Sequence, residues 1–348
     1  MRTLPFIKIT AVLLLALSIN VSINSKAIAC SRIVYNKGNN VFTARTMDWK
    51  GDLGSNIWIF PRGMQRNGAV NGNSVLWNSK YGSVVTSAFD FATCDGVNEK
   101  GLSANLLWLS NSKFPEKETS KPNMSLSIWA QYILDNFANV EEAVNELSKN
   151  IYNVLTTGLP GSPYPVLIHI SISDSKGDNA ILEYIDGKLK IHHGKEYTIL
   201  TNEPVYEEQL AINDYWKSIG GKRMLPGTFS SSDRFVRAAY CIDNSNDTEN
   251  VDLLLASVFS IIRAISVPLQ LADINPPTIW RTVFDHGKQT YYFEDATTLN
   301  VFAINLNAID FSVNASVKKF TISQLSNYSG NILNKFLIAE PFKFFEIK

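Results

Sequence analysis

The chain contains 348 residues, of which 45% are hydrophobic and 18% are charged, which excludes a disordered chain and leaves room for one large domain or two modest ones. The 32 basic residues are balanced by 32 acidic residues, so nothing in the charge indicates a nucleic-acid partner, which would require clustered positive charge. The four histidines lack the spacing of a zinc site, and no Gly-rich phosphate loop is present. We therefore expect no metal and no cofactor.

The first 29 residues have the layout of a secretory signal peptide. Arg2 and Lys8 are followed by an apolar run over residues 9–19 and then by the small residues Ala27 and Ala29. The run is shorter than the roughly 20 apolar residues that a membrane-spanning helix needs. We expect scission after Ala29, a periplasmic or secreted protein made of the single domain 30–348, and no stable membrane insertion once the signal is removed.

Scission after Ala29 makes Cys30 the first residue of the mature chain. The Cys30 thiol is then a nucleophile, and the free α-amine, whose pKa is about 7.7–8.0 in short peptides, is a base near neutral pH. Two alternatives stay open on these residues alone. The cysteine is incidental, or it attaches a lipid to a binding protein, although Ala27 stands where a lipidation site usually has a large apolar residue.

Strand patterns begin directly after Cys30, at residues 32–35, 41–45 and 57–60. Arg45 and Asp48 lie three residues apart, which places them on opposite faces of a regular strand. They converge only if the strand bends or ends there. The alternative is an ion pair on the surface.

The rest of the chain alternates groups of strands with groups of helices. Strand 83–87 and a hairpin reaching residue 109 precede a polar loop, 110–123, of the kind that often borders a binding site. Predicted helices lie at 125–137, 140–147, 205–216, 232–241 and 250–264, and further strands at 166–173, 179–185, 188–192, 197–201, 279–284, 290–294 and 300–306. The tail 336–345 is apolar enough for a strand or for coil packed on the core. This grouping predicts a layered α+β domain.

Cys94 and Cys241 complete an odd set of three cysteines. If Cys30 is a free nucleophile, the other two either form a disulfide or remain separate buried thiols. The sequence leaves both alternatives open.

Five segments in order resemble the choloylglycine hydrolase and penicillin V acylase family of N-terminal nucleophile hydrolases, in particular its Gram-negative penicillin-acylase-like branch. The resemblance covers most of the chain after the signal. It rests on Cys30, Arg45-Thr46-Met47-Asp48-Trp49, the segment Asp95 to Leu102, Leu200-Thr201-Asn202-Glu203-Pro204, and the segment Ser230 to Arg237. It implies a four-layer αββα sandwich and a hydrolase acting on linear amide bonds.

The resemblance also implies a role for each matching residue. Cys30 attacks the amide carbonyl, Arg45 favours the thiolate, and Asp48 orients the α-amine. The Asn202 side-chain amide and the backbone N–H of Trp108 stabilise the oxyanion, and Arg234 completes the charge network.

The substrate implied is a small N-acyl amide with an apolar acyl group, which Trp108 and the loop after it are expected to line. Penicillin V and N-acyl homoserine lactones are the leading classes, and conjugated bile salts are the alternative. Trp108 favours penicillin V and N-acyl homoserine lactones over conjugated bile salts, because bile-salt hydrolases resembling this chain usually have Asn or Tyr at this position. The sequence leaves open the physiological substrate and whether the protein forms a homo-oligomer.

Overall fold

The computed structural model of the chain describes residues 30–160, 162, 164–271, 276–324 and 328–348. The signal peptide predicted for residues 1–29 lies outside these ranges. Five α-helices and twenty strands are found in the described ranges. The helices are α1 Leu126–Asn136, α2 Val140–Leu147, α3 Tyr206–Ile219, α4 Ser231–Asp243 and α5 Val251–Ala264. The strands, in chain order, are β1 Ser31–Lys37, β2 Asn40–Asp48, β3 Asn56–Phe60, β4 Gln65–Asn67, β5 Leu76–Asn78, β6 Ser83–Ala88, β7 Ala92–Asn98, β8 Ser103–Trp108, β9 Asn123–Ser125, β10 Asn153–Leu155, β11 Ile168–Ser173, β12 Asn179–Ile185, β13 Lys188–His193, β14 Ile199–Thr201, β15 Thr278–Asp285, β16 Thr290–Asp295, β17 Asn300–Asn305, β18 Lys318–Thr321, β19 Gly330–Asn331 and β20 Leu337–Ile338.

Sixteen of the strands form two large sheets that lie face to face between two layers of helices, and the other four form the two-stranded sheets β4-β5 and β9-β10. In the ranges described, the seven-stranded sheet has the order β14-β1-β2-β15-β16-β17-β19, and the nine-stranded sheet has the order β13-β12-β11-β8-β7-β6-β3-β18-β20. Helix α1 packs on β7 and β8, whereas α4 and α5 pack on β1, β2, β14 and β15. The predicted four-layer αββα sandwich is therefore confirmed.

The nine-stranded sheet is buried on both faces, and its sequence has the corresponding pattern. In β3, Ile57 and Ile59 point into the core between the sheets, whereas Trp58 and Phe60 point into the core under α1. Because side chains alternate along a strand, continuous apolar runs such as this one are expected wherever both faces are covered.

The predicted helices are confirmed, and a side-chain cap marks the start of each of them except α3. The Ser125 hydroxyl accepts from the Ser127 N–H at the start of α1, and the Asn139 side chain accepts from the Glu142 N–H at the start of α2. Each cap satisfies a backbone donor that has no partner within the helix. No helix in the described part of the chain combines the length and apolar character needed to cross a bilayer.

Strand pairing at one edge of the seven-stranded sheet positions the candidate site. Strand β1 pairs with β14 and β2 on its two sides, with Ser31 opposite both Thr201 and Thr46. Cys30 precedes Ser31, Asn202 follows Thr201, and β2 ends two residues after Thr46. Three segments far apart in sequence therefore meet at one end of the sheet.

The C-terminal tail is mostly irregular. Only Leu337–Ile338 forms a strand within the segment predicted as strand or core-packing coil. Phe342 is buried, and its ring lies 5.3 Å from that of Trp58. The tail therefore packs on the side of the nine-stranded sheet that α1 also covers.

Candidate active site

Cys30 lies immediately before β1 and is almost completely buried, with 2% of its surface exposed. Its Sγ is 3.5 Å from Nη2 of Arg45 and 3.9 Å from Sδ of Met47. Its backbone N–H donates to the side-chain oxygen of Asn202. The residue that the sequence singles out as a nucleophile is thus held at both its sulfur and its nitrogen.

Arg45 and Asp48 converge on Cys30 because β2 ends at Asp48, where the pairing between β2 and β15 is irregular. Both side chains are fully buried, so the alternative of a surface ion pair is wrong. They also pair with different partners. The Nε of Arg45 lies 3.8 Å from Asp95 Oδ2, whereas Oδ2 of Asp48 lies 3.6 Å from Nη1 of Arg234.

Burial strongly affects the Asp48 carboxyl group. It raises the pKa of Asp48 from 3.8 to about 6, because the positive charge of Arg234 offsets only part of the effect of burial. Oδ1 accepts a hydrogen bond from the Thr278 hydroxyl. Oδ2 has no hydrogen-bond partner among the residues described, so one oxygen of a buried carboxyl group is available beside Cys30.

Arg234 enters the site from the first turn of helix α4. Its Nη1 donates to the Cys30 carbonyl oxygen at 2.7 Å and to the Ser31 hydroxyl, and its Nη2 donates to the Asn202 Oδ1 at 3.1 Å. This guanidinium does not contact the Cys30 sulfur by hydrogen bonding. It fixes the backbone that carries the sulfur.

Asn202 links Cys30 to Trp108. Its Oδ1 accepts from Cys30 and Arg234, and its Nδ2 donates to the Trp108 carbonyl oxygen at 2.8 Å. The side-chain amide carries two N–H bonds, so one donor remains for a ligand. Gln209, which no sequence pattern singles out, supports Asn202 by donating from Nε2 to its carbonyl oxygen at 3.2 Å.

The backbone of Trp108 faces the same space. The Leu109 N–H donates to the Leu167 carbonyl oxygen at 3.0 Å, while Trp108 stands opposite Ile168. Because antiparallel pairs alternate between bonded and non-bonded positions, the Trp108 N–H and C=O point away from β11. The carbonyl oxygen already meets Asn202, so the N–H points toward the same side.

Burial raises the pKa of the Cys30 thiol, and the positive charges of Arg45 and Arg234 offset part of that effect. Arg45 therefore favours the thiolate, the direction predicted from the sequence, but burial raises the pKa of Cys30 by more than Arg45 lowers it. A thiol in this environment is protonated near neutral pH and needs a base in contact with it before it attacks a carbonyl group.

An apolar cavity opens beside Cys30. The loop 110–123, expected to line it together with Trp108, is absent from its described walls, so that expectation is wrong for the loop. Residues 156–159, which begin the Pro- and Gly-rich stretch 156–165, take its place, because the chain returns past the cavity before entering β11. The described residues lining the cavity are Cys30, Met47, Trp49, Leu53, Ala88, Phe89, Phe91, Ala92, Cys94, Leu106, Leu107, Trp108, Ser125, Leu126, Ser127, Thr156, Thr157, Gly158, Leu159, Val166, Ile168 and Phe345.

Cys94 and Cys241 are both free thiols. Burial raises the pKa of Cys94 to about 12, so this thiol is unreactive as a nucleophile. Within the described residues, no cluster of three or more His, Cys, Asp or Glu side chains is arranged to hold a metal ion.

Comparison with known families and proteins agrees with this geometry. The profile of the family described as linear amide C–N hydrolases, choloylglycine hydrolase family, matches residues 30–319. The chain belongs to this family. It is therefore a hydrolase that acts on carbon–nitrogen bonds other than peptide bonds, with the N-terminal nucleophile fold.

The named relatives include a penicillin V acylase from Pectobacterium atrosepticum, which is 42% identical over 97% of this chain and 96% of that protein. The solved structure of penicillin V acylase from Agrobacterium tumefaciens covers 91% of this chain and all of its own, with 47% identity and a TM-score of 0.85. A bile salt hydrolase/transferase from Clostridium perfringens is 25% identical over 76% of this chain and 88% of that protein.

Proposed function

We propose that the chain is an exported acylase, processed after Ala29, in which Cys30 is an N-terminal nucleophile that hydrolyses N-acyl amides with an apolar acyl group. One observation carries the proposal. The Cys30 sulfur lies between the Arg45 guanidinium and an apolar cavity, while its backbone nitrogen is held by Asn202.

The α-amine of processed Cys30 supplies the base that the buried thiol needs. It belongs to the same residue as Sγ, so it is within reach without any other side chain moving into the site. One of its N–H bonds keeps the contact with Asn202 Oδ1, and its lone pair takes the thiol proton. In the unprocessed chain this nitrogen is an amide without a basic lone pair, so the precursor is inactive.

Asp48 stabilises the protonated amine. Its Oδ2 has no hydrogen-bond partner among the described residues, and an ammonium group formed on Cys30 is a suitable donor for it. This new partner lowers the pKa of Asp48 from its value of about 6 in the buried site, because a nearby positive charge favours the carboxylate.

Attack of Sγ on the amide carbon forms a carbon–sulfur bond and places negative charge on the carbonyl oxygen. The free N–H of Asn202 Nδ2 and the backbone N–H of Trp108 donate to this oxyanion. The ammonium group of Cys30 then gives its proton to the leaving nitrogen, the carbon–nitrogen bond breaks, and a thioester remains. Water, deprotonated by the same amine, hydrolyses the thioester to release the carboxylic acid and restore the thiol.

The substrate assignment rests on the cavity and on the relatives. The cavity walls are dominated by aromatic and aliphatic side chains, which favours an apolar acyl part and leaves the polar amine toward the opening. The two proteins of 42% and 47% identity are both penicillin V acylases. Penicillin V and N-acyl homoserine lactones are therefore the proposed substrate classes, ahead of conjugated bile salts.

Parallel rates on penicillin V, a long-chain N-acyl homoserine lactone and glycocholate test this assignment. We expect the first or second to give the highest kcat/KM and Cys30→Ser to abolish each rate. A dominant rate on glycocholate would refute the ranking. Retention of full activity by correctly processed Cys30→Ser would refute the mechanism.

Intact mass of the mature chain separates the acylase from a lipid-anchored binding protein. We expect a chain of residues 30–348 with an unmodified N-terminal cysteine, recovered from the periplasm or the medium. An added diacylglyceryl mass would refute the proposal.

A further inference from the structure

We propose that the C-terminal tail, defined as residues 339–348, closes the acyl cavity, and that Phe345 is a specificity-determining residue that limits acyl length and favours a compact aromatic acyl group. The inference rests on the proposed acylase function. The family profile matches residues 30–319, so the profile itself assigns no role to the tail.

The tail is fastened to the cavity wall through its backbone. The carbonyl oxygen of Phe345 accepts from the hydroxyls of Ser125 at 2.9 Å and Ser127 at 3.0 Å, and its N–H donates to the Phe91 carbonyl oxygen at 2.9 Å. Two residues later, Ile347 donates to Ala69 at 3.0 Å. These contacts do not depend on the Phe345 ring, so the ring can be changed while the tail stays in place.

The Phe345 ring is the last member of a row of four aromatic side chains, which we call the aromatic row. Ring centroids are 6.1 Å apart between Trp49 and Phe89, 5.3 Å between Phe89 and Phe91, and 5.3 Å between Phe91 and Phe345. All four side chains line the cavity beside Cys30. Trp49 directly follows Asp48, so one end of the aromatic row adjoins the residues proposed for catalysis and the other end belongs to the tail.

The middle of the aromatic row is held in place by Asp90. Its carboxylate accepts from Asn56 at 2.9 Å, Trp58 at 2.8 Å and Lys319 at 2.6 Å, and also from the Ser87 hydroxyl. Partial burial raises the pKa of Asp90, but these hydrogen bonds together outweigh it and leave the pKa below its usual value. The turn that presents Phe89 and Phe91 is therefore fixed, and the row offers a preformed wall.

An acyl group bonded to Cys30 Sγ extends along this wall. Aromatic rings favour offset and edge-to-face contacts with another ring at centroid distances of about 4.5–7 Å. The spacing of the row suits a single planar ring near its middle. A longer linear acyl chain has to pass the Phe345 ring, which narrows its path, so its amide is hydrolysed more slowly than that of a compact acyl group but is still accepted.

The test uses amides of one chromogenic amine with phenoxyacetyl, octanoyl and dodecanoyl acyl groups, so that only the acyl part differs. The variants are Phe345→Ala and Phe345→Trp, with Phe344→Ala as the matched control. Phe344 is the neighbouring half-buried phenylalanine of the tail, but its ring packs on Phe342 at 4.7 Å and does not line the cavity.

We expect Phe345→Ala to raise the dodecanoyl-to-phenoxyacetyl ratio of kcat/KM by at least about tenfold, the lower end of what one apolar pocket contact discriminates. Phe345→Trp should lower that ratio, and Phe344→Ala should leave it within twofold. Equal ratios in wild type, Phe345→Ala and Phe345→Trp, with hydrolysis still dependent on Cys30, would refute this inference alone. Absence of any hydrolysis dependent on Cys30 would refute the acylase function instead.

Discussion

Arg234 holds Cys30 by its backbone, donating from Nη1 to the Cys30 carbonyl oxygen at 2.7 Å. The same nitrogen lies 3.6 Å from the carboxylate of Asp48, and both side chains are fully buried. The pair therefore fixes the backbone of Cys30 and balances two charges that burial would otherwise disfavour.

Arg234→Met should lower the free energy of unfolding by about 3–5 kcal/mol, because it leaves Asp48 as an uncompensated buried charge. Adding Asp48→Asn should recover part of that loss, since the charge itself is then removed. Urea unfolding of wild type, both single variants and the double variant measures the coupling. If the loss of unfolding free energy in the double variant equals the sum of the losses in the two single variants, the two charges do not interact.

Asn202→Ala should reduce kcat by about 10²–10³-fold, because it removes one donor to the oxyanion. The thermal unfolding midpoint should fall, because the variant loses the hydrogen bonds of Asn202 with Cys30, Arg234 and Trp108, but the chain should stay folded at the assay temperature and KM should change little. Asn244→Ala is the control, since Asn244 caps the end of helix α4 outside the site. A kcat within threefold of wild type for Asn202→Ala would exclude Asn202 from the oxyanion site.

His286 should make the protein less stable in acid. Burial, reinforced by the charge of Arg32, lowers the pKa of His286 from 6.5 to about 3, so the folded chain excludes a proton that the unfolded chain takes up. Stability should therefore fall as the pH drops from 6.5 toward 3, by up to about 1.4 kcal/mol per pH unit from this residue.

Urea unfolding of wild type and His286→Gln at pH 7, 6, 5 and 4 measures this contribution. The variant should show the shallower loss of stability below pH 6.5. Parallel pH profiles for the two proteins would mean that His286 titrates normally in the folded state.

The mature chain should contain three free thiols. Cys94 is buried beside Arg45, and Cys241 lies on helix α4, with both cysteines unpaired. A thiol-reactive chromophore applied to protein denatured without reductant should count three thiols in wild type and two in Cys241→Ser. A count of one in wild type would show that two of the three cysteines form a disulfide and would contradict this prediction.

The elements that could be predicted from the sequence are those governed by local physics. Helix α2 occupies the predicted range 140–147, directly after its cap at Asn139, and alternating apolar residues predict most of the long strands. The short strand Lys318–Thr321 was missed because its residues do not alternate. It exists because it pairs with β3, more than 250 residues earlier in the chain.

The site was only partly accessible from the sequence. The convergence of Arg45 and Asp48 cannot be derived from the alternation of side chains along a strand. It depends on where β2 ends and on the irregular pairing of β2 with β15 at that point. The family resemblance supplied these residues where spacing could not. Neither residue spacing nor the family resemblance identifies Phe345, because its place in the cavity results from long-range contacts of the tail with Ser125 and Ser127.

The most direct test of the central claim compares two purified chains, one beginning at Cys30 and one in which Ala29 remains attached to it. Both are assayed for hydrolysis of penicillin V, with Cys30→Ser of the first chain as the background. We predict hydrolysis only by the chain with a free Cys30 α-amine, because the peptide nitrogen of the extended chain cannot accept the thiol proton. Equal rates for the two chains, with the extra residue still present by mass at the end of the assay, would contradict the mechanism.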